Sequence, residues 1–302
     1  MTDAMAGAQV ITKRGRPRFL QWPLLRILIA ICFVAVPFVL LQVVLHKLPI
    51  DKSLKQVWPA LLSVACCYFM YRAYVRVVEQ RAASEFAVSF AARETGLGFI
   101  GGALLFGATL GALYVAGAYR VTAIAPWTVM IAPFFTMIVG GFLEEILFRG
   151  IIFRILQNWL GSWIALALSV VFFVLAHMGN EGATLIGMAS VAAAGMLLSA
   201  AYMATQRLWL SIGIHIGWNF TQGGLFSVPV SGHPAEGMIQ GALSGPTWLT
   251  GGVFGVEGSI FAVVTVLAGG IALLTYVARH QVIAPAWRAP KVNQASDAPV
   301  TG

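Results

Sequence analysis

The feature that most constrains this chain is a series of eight long apolar segments. Its 302 residues are 59% hydrophobic and 10% charged, with a mean hydropathy of +0.84, whereas a soluble domain carries roughly a quarter charged residues. An apolar run of about 20 residues crosses a bilayer as a helix, because a helix satisfies its own backbone hydrogen bonds where water is absent. The sequence therefore predicts an all-α, polytopic transmembrane bundle of about eight spans. We predict spans at 24–45, 57–74, 97–117, 126–159, 163–178, 183–203, 208–222 and 259–277.

The basic residues predict how this bundle is oriented. If the chain starts in the cytoplasm, its N-terminal tail lies inside. The connections that lie on the same side contain Arg76, Arg81, Arg154 and Arg207. Only Lys47, Lys52, Lys55 and Arg120 fall outside, and the 223–258 loop has no Lys or Arg. Cytoplasmic loops carry the excess of Lys and Arg in membrane proteins. We therefore predict a multi-pass integral membrane protein with both termini cytoplasmic, in the plasma (inner) membrane if the source is bacterial.

The chain is predicted to divide into three parts around one membrane-embedded domain. Residues 1–122 form a basic tail and the first three spans, and 123–224 form a core that carries the polar motifs. Residues 225–302 comprise the external loop, the last span and a Pro/Ala-rich tail, which we predict to be disordered and cytoplasmic. The polar stretch 75–96 is predicted to be a solvated cytoplasmic connector. The N-terminal basic residues lie directly against a span, which favours the membrane over nucleic acid as their partner.

A few polar side chains interrupt the apolar segments of the core. An ionised group at membrane depth costs several kcal/mol to desolvate, so such residues are by default functional. They predict a polar catalytic cavity inside the membrane. The residues are Glu144, Glu145, Arg149, His177, His215 and Asn219.

Sequence spacing predicts that Glu144 and His177 lie at the same depth. The segment 126–159 is too long for a single crossing, so the chain is expected to turn near Leu160 and Gly161. Glu144 lies 16 residues before Leu160, and His177 lies 16 residues after Gly161. In an antiparallel hairpin the two side chains are level. Phe173, four residues before His177, is predicted to pack beneath the histidine.

Helical periodicity separates the roles of the adjacent glutamates. Glu145 and Arg149 are at i,i+4 on one helix face and are expected to form an ion pair, which leaves Glu144 free for chemistry. His215 and Asn219 also share one face. By residue count His215 is shallower than Glu144, so helix tilt or a shortened half-helix must bring the two together.

These groups suit hydrolysis of an amide bond. Glu144 would act as general base and then acid on a lytic water, the imidazoles would orient the water or protonate the leaving amine, and the Asn219 amide would stabilise the oxyanion. Glu144, His177 and His215 also match the ligands of a catalytic zinc or another divalent metal. The sequence has no His-Glu-x-x-His helix. A reaction that needs no cofactor and a metal-assisted one both remain open.

The order and spacing of these motifs resemble the CPBP family. The motifs are Glu-Glu-x-x-x-Arg (144–149), Phe-x-x-x-His (173–177) and His-x-x-x-Asn (215–219). This family comprises the type II CAAX prenyl endopeptidases and their bacteriocin-processing relatives, also called the Abi family. The similarity covers roughly residues 125–222. It implies an eight-helix intramembrane bundle with a cavity open towards the cytoplasmic side.

The resemblance also implies roles for single residues. Glu144 would be the catalytic glutamate, and His177, His215 and Asn219 would complete the site. Glu145 and Arg149 match the remaining positions of the first motif.

The predicted function is therefore an intramembrane endopeptidase. It would act on a membrane-bound or lipid-modified protein or peptide of CAAX or bacteriocin type, with Glu144 activating water. The lipid bilayer and the membrane-associated substrate are its predicted partners. The alternatives are a proton-coupled transporter and a catalytically silent bacteriocin-immunity scaffold. A transporter relay would spread its ionisable groups over both membrane halves, whereas here they cluster at one depth.

Overall fold

The computed structural model describes residues 22–49 and 57–280. The basic N-terminal tail, Lys52, Lys55 and the tail predicted to be disordered lie outside the described residues. The described chain is a helical bundle with one small sheet. In chain order its elements are α1 Pro23–Lys47, α2 Trp58–Val77, α3 Ala91–Val115, β1 Tyr119–Ile124, α4 Ile131–Glu145, a π-helical segment Ile146–Phe153, α5 Arg154–Leu160, α6 Ser162–His177, α7 Leu185–Thr205, α8 Trp209–Asn219, a second π-helical segment Phe220–Leu225, β2 Ile239–Leu243, α9 Thr247–Thr250 and α10 Ile260–Arg279. Short 3-10 turns lie at Ser84–Phe86, Val88–Phe90, Trp127–Met130, Gly252–Phe254 and Val256–Gly258.

The length and composition of the helices confirm a polytopic membrane bundle. Within the described residues, six helical stretches are long and apolar enough to cross a bilayer: Pro23–Lys47, Trp58–Val77, Ser84–Val115, Trp127–Leu160, Leu185–Thr205 and Ile260–Arg279. Ser162–His177 is a shorter apolar helix, and α8 with its π-helical continuation forms the eighth segment. Many large apolar side chains lie on the outside of the bundle, as lipid contact requires.

The hairpin that organises the core turns at the predicted place. Gly161 has φ +83° and ψ 170°, a conformation that glycine adopts without steric cost. This single residue ends α5 and starts α6, so the two helices run back along each other. Glu144 and His177 therefore lie on the two arms of one hairpin.

Glycines allow α8 to pack closely against α3. A Cβ atom at Gly98 or Gly102 of α3 would collide with backbone atoms of α8, and one at Gly213 or Gly217 of α8 would collide with backbone atoms of α3. Both pairs have the small-xxx-small spacing that brings membrane helices into backbone contact. The contact fixes the position of α8, which carries His215.

The sequence did not predict the small antiparallel sheet. β1 pairs with β2 from Tyr119 opposite Leu243 to Ile124 opposite Ile239, with an irregularity between Val121 and Ala123. The two strands are only six and five residues long and lie in connections between helices. Their sequence patterns are therefore weak beside those of the neighbouring apolar segments. The pairing ties the connection before α4 to the long loop after α8, which is a structured cap containing β2 and α9.

The prediction of a solvated connector at 75–96 is wrong for its acidic side chains. Glu79, Glu85 and Glu94 are buried there, at 1%, 3% and 8% exposure. Glu79 and Glu85 form ion pairs with Arg154 of α5, and Glu94 pairs with Arg207. These three carboxylates can be buried because their partners include arginines from distant segments, which the local sequence does not reveal.

Candidate active site

Three helical segments bring Glu144, His177 and His215 together. Glu144 lies in the last turn of α4, His177 ends α6, and His215 lies in the middle of α8. The Nε2 atoms of His177 and His215 are each 3.9 Å from Oε2 of Glu144. That oxygen accepts no direct hydrogen bond. The structure thus places one carboxylate oxygen between two imidazoles, at distances that one water molecule can bridge.

Glu145 points away from the cavity and pairs with Arg149. Their side chains are fully buried, and Nη1 of Arg149 donates to Oε1 of Glu145 at 2.9 Å. Nη2 of Arg149 donates to the carbonyl of Gly195 in α7 at 3.1 Å. The guanidinium also lies over the Phe173 ring, 4.5 Å from its centroid. Arg149 thereby joins the core hairpin to α7.

Hydrogen bonds at Nδ1 orient both imidazoles. Nδ1 of His177 lies 2.8 Å from the carbonyl oxygen of Phe173, which can only accept, so the proton is on Nδ1. Nδ1 of His215 lies 2.9 Å from Oε1 of Glu145 and donates to that carboxylate. In both residues Nε2 is left to face Glu144. A carboxylate or carbonyl behind the ring is the usual way in which a protein fixes the tautomer of a functional histidine.

Both polar motifs lie directly beside π-helical segments. One starts at Ile146, after the glutamate pair, and the other starts at Phe220, after Asn219. π-helical turns are rare and occur often at functional sites. Here each π-helical segment starts at the residue directly after a polar motif, so the direction of the following side chains changes at that point.

The depth of His215 is set by a shortened helix. α8 has 11 residues, and His215 is the seventh. Its N-terminal half does not start at the bundle surface, because Leu208, Ser211 and Ile212 are almost fully buried. His215 therefore reaches the level of Glu144 although only six residues separate it from the first residue of its helix.

The four residues named as catalytic line one cavity of about 420 Å³. Phe173 packs beneath His177 with ring centroids 4.5 Å apart, and it also contributes to the wall. Most of the wall is apolar. The cavity is lined by Glu144, His177, His215 and Asn219, by the aromatic side chains of Phe148, Phe173 and Trp218, and by aliphatic side chains that include Leu197, Leu198 and Val266.

Sequence reasoning missed the polar residues that the loops contribute to this cavity. Asn180, Ser231, His233 and Glu257 all line it. Nδ2 of Asn180 donates to the carbonyl of Ser231 at 2.9 Å, and the backbone N–H of Ser231 donates to Glu257. Burial raises the pKa of Glu257 to about 7, against the effect of its hydrogen bonds to Ser231. The one sequence signal for these polar loop residues was Glu257 itself, a carboxylate two residues before the apolar run 259–277 that forms α10.

The cavity extends from Glu144 towards the loops that follow α6 and α8. Gly140 and Thr136, one and two turns before Glu144, continue its wall in that direction. The basic residues predict that this face is external, whereas the family resemblance implies a cytoplasmic opening. The two expectations therefore conflict for this chain.

Glu144, His177 and His215 are also the candidate ligands of a metal ion. Two imidazoles and a carboxylate are a donor set that zinc accepts. Within the described residues, however, no group of three or more His, Cys, Asp or Glu side chains has an arrangement that could hold a metal ion. In this structure the three side chains therefore do not fit a bound metal ion.

Comparison with known proteins identifies the part of the chain that holds this site. Residues 125–221 match the family model described as type II CAAX prenyl endopeptidase Rce1-like. This segment, roughly the middle third of the chain, contains all three motifs. No curated protein and no solved structure matches the chain at a significant level.

Proposed function

From the match of residues 125–221 to the Rce1-like endopeptidases, which confirms the resemblance to the CPBP family, we propose that this protein is an intramembrane endopeptidase with Glu144 as its general base. At the family level the match supports a CAAX-type peptidase in the membrane. In the proposed function Glu144 activates water, and the substrate is a membrane-bound or lipid-modified protein or peptide. One observation carries it: an unbonded oxygen of Glu144 faces two oriented imidazoles inside the cavity.

The proposed reaction begins with a water held between Glu144 and His177. Glu144 takes a proton from this water, and the resulting hydroxide adds to the carbonyl carbon of the scissile bond. The carbonyl oxygen becomes an oxyanion, which the amide N–H groups of Asn219 stabilise. Protonated Glu144 then donates its proton to the leaving amine as the C–N bond breaks. The products are a carboxylic acid and an amine, and Glu144 returns to its starting state.

Glu145 and Arg149 support this reaction without touching the substrate. The ion pair keeps a negative charge behind His215, which holds the ring with Nε2 towards the cavity. An imidazole held in this way can donate to the oxyanion when it is protonated.

A transport function fits the geometry less well. A proton relay requires polar groups that continue from one face of the membrane to the other. On the side of Glu144 away from the loops, Ile146, Ile151 and Phe153 are fully buried, and the ionisable groups there are held in ion pairs, Arg149 with Glu145 and Arg154 with Glu79 and Glu85. The cavity therefore ends at the level of the ion pair between Glu145 and Arg149.

The test is cleavage of a membrane-anchored peptide by the purified full-length protein in detergent micelles. Two peptides of the same sequence are compared, a farnesylated one that ends in a CAAX sequence and an unprenylated one. We expect cleavage of at least one at a single internal bond, with one solvent ¹⁸O in the new carboxyl group. Cleavage should survive treatment with a metal chelator. Loss of activity with the chelator and recovery with zinc would contradict the mechanism, and failure to cleave either peptide would contradict the activity.

A further inference from the structure

The cavity has one open end and one closed end. Its open end is formed by Thr136 of α4 and by the loop residues Asn180, His233 and Pro234. Thr136, His233 and Pro234 are exposed. Glu257 binds the backbone of Ser231 and so holds the loop that forms this rim. A substrate can reach Glu144 from this end without moving a helix.

The other end is sealed by buried side chains. The cavity wall ends at Phe148 and Leu198. Beyond them lie Arg149, fully buried, and Ile152, 8% exposed. The buried ion pairs of Arg154 with Glu79 and Glu85 follow. An opening on this side would break several buried charge pairs, each of which is costly to separate.

The basic residues differ sharply between the two faces. In the described residues, the sealed face carries eight and the open face two. Those at the sealed face are Arg26, Arg72, Arg76, Arg81, Arg93, Arg154, Arg207 and Arg279, and those at the open face are Lys47 and Arg120. Lys and Arg are concentrated on the cytoplasmic side of membrane proteins. This distribution makes the sealed face cytoplasmic.

We infer that the substrate enters from the extracytoplasmic face. The inference rests on the proposed function and specifies its substrate class: a membrane-bound peptide whose scissile bond lies in the outer half of the bilayer. The apolar wall with Phe148, Phe173 and Leu198 suits apolar residues beside that bond. The carboxylate of Glu144 disfavours acidic residues there.

The test measures access to the cavity with a membrane-impermeant cationic methanethiosulfonate reagent. Gly140 lines the cavity one turn before Glu144, and a Cβ there meets no atom within 4 Å, so Gly140→Cys is tolerated sterically. The control is Ser89→Cys, an exposed position in the connector on the sealed face. Both are made in full-length protein whose Cys32, Cys66 and Cys67 are replaced by Ser. Labelling is measured in right-side-out and in inverted membrane vesicles.

We expect Gly140→Cys to lose its free thiol in right-side-out vesicles only, and Ser89→Cys in inverted vesicles only. Labelling of Gly140→Cys in inverted vesicles together with Ser89→Cys would overturn the inference, because the cavity would then open towards the cytoplasm. The reverse pattern for both variants would also overturn it, because the protein would then be inserted with the cavity towards the cytoplasm. An unreactive Gly140→Cys in both preparations would overturn it as well, because the cavity would then be closed to water from either face. Thiol labelling requires no catalysis, so it stands or falls independently of the peptidase activity.

Discussion

At the scale of residues, two adjacent glutamates have different tasks because a helix points them in different directions. Glu144 faces the cavity with one oxygen unbonded. Glu145 is bonded to Arg149 and to His215. The i,i+4 spacing allowed the ion pair to be predicted, because local helix geometry determines it. The bond between Glu145 and His215 could not be predicted, since it joins residues 70 positions apart.

Replacement of Glu145 is expected to affect stability first. Glu145→Gln leaves the buried Arg149 guanidinium without its counter-charge, and breaking a buried pair in this way costs about 3–5 kcal/mol. The thermal unfolding midpoint in detergent should fall clearly below that of the wild type. Glu181→Gln, an exposed change in the loop after α6, is the matched control. Equal midpoints for Glu145→Gln and the wild type would show that the pair contributes little.

Replacement of Asn219 is expected to affect the reaction. If its amide stabilises the oxyanion, Asn219→Ala should lower kcat by about 10²–10³-fold with little change in the unfolding midpoint. Asn158→Ala, an exposed position on α5, should leave both unchanged. A kcat that stays within a few-fold of the wild type would remove Asn219 from the oxyanion site.

At the scale of elements, apolar length predicts the spans well and their irregularities poorly. The predicted spans 183–203 and 259–277 correspond to Leu185–Thr205 and Ile260–Arg279, because hydrophobic length marks a helix that crosses the bilayer. The π-helical segments and the buried start of α8 carry no such signal. They depend on packing between helices that are distant in sequence.

The contact between α3 and α8 can be tested with neighbouring glycines. A Cβ at Gly102 would collide with the backbone of α8 at Ile214, whereas one at Gly101 meets no atom within 4 Å. Gly102→Ala should therefore destabilise the protein by about 1–3 kcal/mol, as overpacking does. It should also lower activity, because α8 carries His215 and Asn219. Gly101→Ala should do neither, and equal effects of the two changes on the unfolding midpoint would contradict the close helix contact.

At the scale of the whole molecule, one carboxylate connects four parts of the chain. Glu79 accepts hydrogen bonds from Arg26 of α1, Tyr74 of α2, Arg81 of the connector and Arg154 of α5. Burial alone would raise the pKa of Glu79, but Arg154, with Arg26 and Arg81, lowers it from the ordinary value of 4.5 to about 2. This cluster could not be predicted from sequence, because its members lie up to 128 residues apart and the segment around Glu79 has the local composition of a polar linker.

The lowered pKa of Glu79 predicts a loss of stability in acid. Glu79 binds a proton more readily in the unfolded chain than in the folded protein. Its contribution to the free energy of unfolding is therefore complete above pH 4.5 and is lost as the pH falls towards 2. A pKa difference of this size between the unfolded and folded states corresponds to about 3 kcal/mol of unfolding free energy. The unfolding midpoint of the wild type should drop over this range. That of Glu79→Gln should be lower at pH 7 and change less between pH 4.5 and 2, and parallel curves for the two proteins would contradict the role of Glu79.

The measurement that tests the central claim most directly is the rate of peptide cleavage by Glu144→Gln. The change keeps the shape of the side chain and removes its ability to take a proton from water. We predict that kcat falls by about 10²–10⁴-fold, the usual contribution of a general base, while the unfolding midpoint stays at the wild-type value and Glu181→Gln remains fully active. A folded Glu144→Gln protein that cleaves the peptide at the wild-type rate would contradict the assignment of Glu144 as the catalytic base.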